Sequence, residues 1–260
     1  MPYFPLQDSQ CYYEIHGVGE PILYLHGWNG NMSGFKQNLM PYLKDRYQCI
    51  TVDFPGFGRS EPADPSFEAL SDGIEKLLDQ LRIQTVTLLG FCMGGVVALD
   101  YALRRQERIK KLILVETYAD FPIFLMPLLS NRFGRKLFEF GVNHPLGIRL
   151  VKRYLLLRDF LYREDFFKAF QTVDPKASLK YVRMFWEYAR KSDHYARMKD
   201  LDLKTLLIMG EQTNGFVKRS ILRIQKILPD SRLEVLQSAG HFPIEENSLG
   251  LAQSLKQFLE

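Results

Sequence analysis

Cysteine is scarce in this chain: Cys11, Cys49 and Cys92 are the only three in 260 residues. They are widely spaced and odd in number, which argues against a disulfide framework and for a reducing compartment. Long hydrophobic runs are also missing, and a membrane-spanning helix needs about 20 consecutive apolar residues. The opening run Met1-Pro2-Tyr3-Phe4-Pro5 lacks the basic and apolar regions of a signal peptide. Together these absences lead to the expectation of a cytoplasmic protein with no transmembrane segment. There is no fixed-period repeat, no low-complexity tract and no metal-ligand spacing, so neither a metal nor another cofactor is expected. A large charge excess is absent too, the formal net charge being +4.

The composition that remains is that of an ordinary globular protein, 46% apolar and 25% charged. Strand and helix signals alternate along it. Cys11–His16, Pro21–Leu25, Tyr47–Val52, Val86–Leu89, Lys111–Val115, Thr205–Met209 and Arg232–Leu236 read as strands. Several are continuous apolar runs, as in a parallel sheet buried on both faces. Helical periodicity fills the gaps at Ser33–Leu43, Phe67–Leu81, Met93–Arg105, Phe216–Leu228 and Ser248–Leu259. This alternation predicts a doubly wound α/β sheet. Cys11 and Cys49 fall in strands and read as small buried hydrophobes.

Residues 121–197 break the pattern. They read as helical, are punctuated by prolines and are dense in aromatics, Phe121, Phe124 and Trp186 among them. The expected organisation is a core of 1–120 and 198–260 with a helical cap, 121–197, covering the site. The segment holds fifteen Lys/Arg against seven Asp/Glu, a local +8, while the rest of the chain sums to −4. Such a split suggests a partner of negative charge, although wet faces of amphipathic helices would give it as well. No nucleic-acid motif accompanies it, so nucleic acid is not expected as a partner. The basic alternation around Leu146–Leu157 fits a cap helix, and contact with a membrane surface is not required to explain it.

Chemistry-bearing residues cluster where predicted strands end. Gly90-Phe91-Cys92-Met93-Gly94-Gly95 joins a strand to a helix, with glycines that permit a tight turn and one outward thiol. His26-Gly27-Trp28 follows one strand, and Asp53-Phe54-Pro55-Gly56-Phe57-Gly58-Arg59-Ser60 follows the next. Gly240-His241-Phe242-Pro243 follows the last. Taken in order, these four motifs resemble those of the α/β-hydrolase superfamily over nearly the whole chain. The resemblance implies a strand–elbow–helix nucleophile at Cys92, where serine is usual, and a general base at His241. It also implies an oxyanion hole from the backbone N–H groups of Met93 and Trp28. His26 and Asp53 are read as structural, and His16, His144 and His194 carry no motif. Phe91, Trp28, Met93, Phe121, Phe124 and Trp186 are the expected lining of an apolar acyl pocket, with core packing the alternative for each.

The acid departs from the family pattern. Thr213 occupies the place of the usual aspartate in Gly210-Glu211-Gln212-Thr213-Asn214, and it cannot balance an imidazolium. Some relatives, certain haloalkane dehalogenases among them, place the acid after the sixth strand, where this chain has Glu116. Glu116 is therefore preferred, with Glu211 and Asp120 as competitors. The elbow itself is similar to those of dienelactone hydrolases and polyhydroxyalkanoate synthases, but the rest of the chain is not.

Three readings follow. The first is hydrolysis of an ester or thioester through an acyl-Cys intermediate with an apolar acyl group. The second is acyl transfer or cyclisation through the same intermediate, with an acidic carrier protein or a coenzyme A thioester as donor. The third is a non-catalytic ligand-binding protein of the same fold, which the absent aspartate at 213 would favour.

Overall fold

The computed structural model describes residues 2–119, 132–154, 173–191 and 193–260. Eight strands form one sheet: β1 (Tyr3–Leu6), β2 (Ser9–His16), β3 (Glu20–Leu25), β4 (Tyr47–Val52), β5 (Val86–Phe91), β6 (Ile109–Val115), β7 (Thr205–Gly210) and β8 (Ser231–Leu236). Their order is β1-β2-β4-β3-β5-β6-β7-β8. β1 and β2 pair antiparallel, as do β2 and β4, and every other pair is parallel. β1 is the one strand that periodicity did not predict. It is four residues long, and only Phe4 and Leu6 point inward.

The described helices are α1 (Ser33–Asn38), α2 (Met40–Leu43), α3 (Phe67–Gln80), α4 (Met93–Arg105), α5 (Arg132–Asn143), α6 (Pro145–Tyr154), α7 (Pro175–Lys191), α8 (His194–Met198), α9 (Gly215–Ile227), α10 (Pro243–Glu246) and α11 (Ser248–Leu259). The helix expected over Ser33–Leu43 is two. α1 stops at Leu39, and α2 carries Pro41 in its first turn, where a missing N–H costs nothing. Between β6 and β7 the described residues include the helices α5 to α8.

The strands bury both faces, and the period of two sorts their side chains into two cores. Leu23, Leu25, Ile50, Val52, Leu88, Leu112, Leu114 and Leu207 pack with α3, α4 and α9 on one side. Ile22, Tyr24, Cys49, Leu89, Ile113, Val115, Leu206 and Ile208 pack with α1, α2 and α11 on the other. Cys11 and Cys49 are fully buried, and burial pushes both thiols up to about 12. From β3 the chain goes on to β4 on one side, and β5 lies on the other. The crevice at the carboxyl ends of β3 and β5 is thus the switch point where doubly wound sheets bind ligands.

The loop after β4 is fixed by Asp53, 3% exposed. Its carboxylate accepts from the Met32 N–H (2.9 Å) and the Arg59 N–H (2.9 Å), and its carbonyl accepts from the Ser60 hydroxyl (2.5 Å). Gly58 sits at φ +54° against that carboxylate, where a Cβ would come within 2.1 Å of Oδ2. Asp53 thereby ties this loop to the start of α1. Asp53→Ala strands the buried Met32 N–H at about 1–3 kcal/mol, while the Arg59 N–H lies nearer the surface. Urea unfolding should show a loss of roughly 1–3 kcal/mol on that count. A loss below about 0.5 kcal/mol, within the range of ordinary surface substitutions, would show the loop to be held otherwise.

Candidate active site

Cys92 is the N-cap of α4 and adopts φ +52°, ψ −113°, a strained conformation for a residue with a side chain. The elbow is possible because its glycines let backbone pass close. A Cβ on Gly94 would lie 2.1 Å from the Leu25 carbonyl, and one on Gly90 would lie 2.4 Å from that of Gly94. The Cys92 N–H donates to the Val115 carbonyl (2.9 Å), so the elbow is anchored to the end of β6.

At that end Glu116 turns inward, also at positive φ (+51°), and is wholly buried. Its carboxylate is satisfied from three sides. Oε1 accepts from the Gly210 N–H (2.6 Å), while Oε2 accepts from the Thr213 hydroxyl (2.5 Å) and meets His241 Nδ1 at 2.9 Å. His241 and Cys92 lie together in the lining of one cavity. With Nδ1 engaged by Glu116, Nε2 is the nitrogen left for sulfur. Burial works against a charged His241 ring, but Cys92 and Glu116 outweigh it and raise its pKa to about 10.

His26 is different in kind. Its Nε2 accepts from the Phe54 N–H (2.9 Å), so Nδ1 carries the hydrogen and donates to the Gly27 carbonyl (2.7 Å). Burial depresses its pKa, so it is a neutral tie between the loops after β3 and β4. His194 is buried with Nε2 3.0 Å from the Ala119 carbonyl.

A cavity of about 550 Å³ opens over Cys92 and His241. Tyr24, Trp28, Phe91, Phe242 and Ile244 give it apolar wall, while Asn29, Asn31, Ser33, Gln37 and Asn38 give it a polar one. Among the described residues its lining holds no lysine or arginine. α1 turns Gln37 and Asn38 toward it, so the described wall is apolar on one side and amide-rich on the other. Asn29, at φ +54° and 7% exposed, leaves its side-chain carbonyl oxygen without a partner among the described residues.

The predicted residues are only partly gathered here. Phe91 and Trp28 line the cavity, and the Phe91 ring lies 5.6 Å from that of His241. A Cβ on Gly27 would come within 3.3 Å of the Cys92 Cβ, so the loop carrying Trp28 abuts the elbow. The Met93 side chain is fully buried in the core beside α3, because the first helical turn directs it away from the cavity, which corrects its expected place in the pocket. Trp186 stands on α7 and is not part of the wall. Phe121, Phe124 and the competing acid Asp120 lie outside the described residues. Glu211 accepts from the Ser238 N–H (3.2 Å).

One contact was not anticipated: Thr213, at the position of the usual aspartate, supports Glu116 with its hydroxyl. α7 closes over the neighbouring loops, where the Tyr181 hydroxyl donates to the Pro55 carbonyl (3.1 Å) and the Trp28 indole N–H to that of Ser178 (3.3 Å).

The family model for the alpha/beta hydrolase fold matches residues 20–248, and the chain belongs to that family. Its relatives are enzymes, with hydrolases among them. It is 26% identical to the cis-3-alkyl-4-alkyloxetan-2-one decarboxylase of Shewanella oneidensis, over 96% of this chain and 85% of that one. It is 25% identical to the pimeloyl-[acyl-carrier protein] methyl ester esterase of Photobacterium profundum, over 95% and 98% respectively. Among solved structures, the enol-lactonase of Burkholderia xenovorans LB400 superposes with a TM-score of 0.80 at 20% identity, covering 99% of both chains, a likeness of fold.

The raised His241 pKa makes two linked predictions. An NMR titration of its imidazole should show protonation persisting to about pH 10, and Cys92→Ala should lower that midpoint. A midpoint near the ordinary 6.5 in the wild type would contradict the geometry. Because the folded value lies above the unfolded one, charged His241 contributes its full stability below about pH 6.5. That contribution is lost as pH rises through about 10.

Proposed function

We propose that the protein hydrolyses an ester or thioester through a covalent acyl-Cys92 intermediate, with His241 as base and Glu116 as its acid partner. The observation that carries this reading is the buried Glu116–His241 contact, which faces the same cavity as the thiol at the head of α4. In the first half-reaction the sulfur, its proton already held by His241, bonds to the acyl carbon. The leaving group then departs with the proton from His241. In the second, His241 takes a proton from water, the acyl carbon bonds to oxygen, and sulfur is released.

The oxygen of the tetrahedral intermediate is assigned to the N–H groups of Met93 and Trp28. The Met93 N–H is the first of α4, where no intrahelical acceptor exists and the helix end favours negative charge. Removing one such donor typically costs about a hundred- to a thousandfold in rate. Phe91 and Trp28, with Phe121 and Phe124 from the proposed cap 121–197, are assigned to the acyl group.

Acyl transfer is a second reading, favoured by the cysteine itself. An acyl-Cys thioester resists water relative to amines and thiols better than an oxygen ester does, so other acceptors compete well. The basic excess of residues 121–197 suits an acidic carrier or a coenzyme A thioester. An esterase for a methyl ester on an acyl-carrier protein among the relatives supports the carrier. A non-catalytic binding role is disfavoured by the Glu116–His241 contact, which replaces the missing aspartate.

Intact-mass spectrometry after exposure to a panel of acyl thioesters and aryl esters tests the proposal. The expected result is one acyl adduct on Cys92, absent in Cys92→Ala and persistent in His241→Ala, with release to added amines separating transfer from hydrolysis. Turnover by Cys92→Ala near the wild-type rate, or no adduct with any donor, would overturn it.

A further inference from the structure

Four side-chain amides stand in the described wall of the cavity over Cys92, and three of them are accounted for. Asn31 accepts from the Ser33 N–H (2.8 Å), the Asn38 amide donates to the Gly34 carbonyl (3.0 Å), and Gln37 is exposed to solvent. The fourth, Asn29, is 7% exposed, and its side-chain oxygen has no partner among the described residues. The backbone explains only part of this choice. The Gly30 N–H donates to the Gly27 carbonyl (3.1 Å), closing a four-residue turn with Asn29 third, at φ +54°. Such a position takes glycine or asparagine. Glycine would meet it without strain and without burying an amide, so the turn does not account for the side chain.

We propose that Asn29 sets substrate specificity by accepting a hydrogen bond from the substrate, from a hydroxyl or an amide N–H a few bonds from the scissile carbonyl. The inference rests on the acyl-Cys92 reading for the place of that carbonyl. Asn29 succeeds Trp28, whose N–H is assigned to the oxyanion, and the loop carrying both abuts the elbow. Consecutive Cα atoms are about 3.8 Å apart, so the amide serves a group near the reacting carbon rather than far along the substrate. The terminal torsion of asparagine is soft and nothing described engages the oxygen, so turning about Cβ–Cγ presents it to the cavity. A neutral donor is the fit. The described wall offers no lysine or arginine to balance a phosphate or carboxylate, and a carboxamide oxygen only accepts. The substrate then supplies the partner that the fold omits, and a competitor lacking the donor leaves a buried acceptor unpaired. Two parts of a substrate meet this description. A pantetheine-type thioester carries an amide N–H one ethylene unit beyond its sulfur, and a 3-hydroxyacyl group carries a hydroxyl close to its carbonyl.

Asn29→Gly keeps the turn and removes the amide. The readout is the ratio of kcat/KM within matched pairs: N-acetylcysteamine against S-butyl thioesters of butyrate, and aryl 3-hydroxybutyrate against aryl butyrate. A ratio does not depend on the fraction of enzyme folded. The wild type should prefer the donor-bearing member of at least one pair roughly 10- to 100-fold, and Asn29→Gly should bring that ratio close to one. The pair that responds identifies the half of the substrate that Asn29 holds. No preference in either pair, a preference that survives Asn29→Gly, or a loss equal in all four substrates would overturn the inference, the last by placing Asn29 on the reacting carbonyl itself. The same pairs with CH2 in place of the ester sulfur or oxygen cannot be hydrolysed. Calorimetry on Cys92→Ala, with and without Asn29→Gly, reads their preference as a ratio of Kd. If no substrate acylates Cys92, the acyl-Cys92 reading fails, and the Kd ratio still decides Asn29: its absence, or its survival in Asn29→Gly, overturns the inference.

Discussion

The buried carboxylate of Glu116 is the contact on which the rest of the site depends. Three groups from two separate segments converge on it: the Gly210 N–H and Thr213 hydroxyl beyond β7, and the imidazole of His241 beyond β8. An isolated charge at such depth would be expensive, and it is tolerated only when every lone pair has a donor. Each donor therefore supports the others. Losing any one leaves the carboxylate partly unpaired, and the loops after β7 and β8 lose their common anchor.

The surrounding fold supplies the rigidity this needs. Parallel strands end in register, so that Cys92 bonds to Val115 and Glu116 to Ile208, continuing the ladder past the last strand residues. Cys92 and Glu116, and Asn29 in the neighbouring loop, all hold positive φ without being glycine. Strain of this kind costs on the order of 1–3 kcal/mol per residue and persists only where the packing around it is over-determined. Two apolar cores with fully buried leucines and isoleucines provide that packing.

Most of the fold was legible in the sequence because parallel strands buried on both faces leave continuous apolar runs, and the helices between them keep a clear period. β1 was missed because four residues with two inward side chains carry almost no periodicity. The α1–α2 break was missed because Pro41 is harmless at the start of a helix and so looks neutral in a pattern. At the site, motif position was enough to pair Glu116 with His241 in expectation, and the two lie within hydrogen-bond distance. Thr213 was weighed only as a failed acid, since a hydroxyl's partner depends on where β6 ends in space. The amide face of α1 left no motif at all, because its direction into the cavity is not encoded by spacing along a chain.

In the proposed reaction, Glu116, His241 and Cys92 act as one unit, and a double-mutant cycle in kcat/KM on a hydrolysed thioester tests that most directly. Cys92→Ala, Glu116→Gln and the double variant should be strongly non-additive, because without the thiol His241 has no proton to take from it. The account predicts a double variant no slower than Cys92→Ala alone. Losses that simply multiply would mean that Glu116 and Cys92 act independently, and would contradict it.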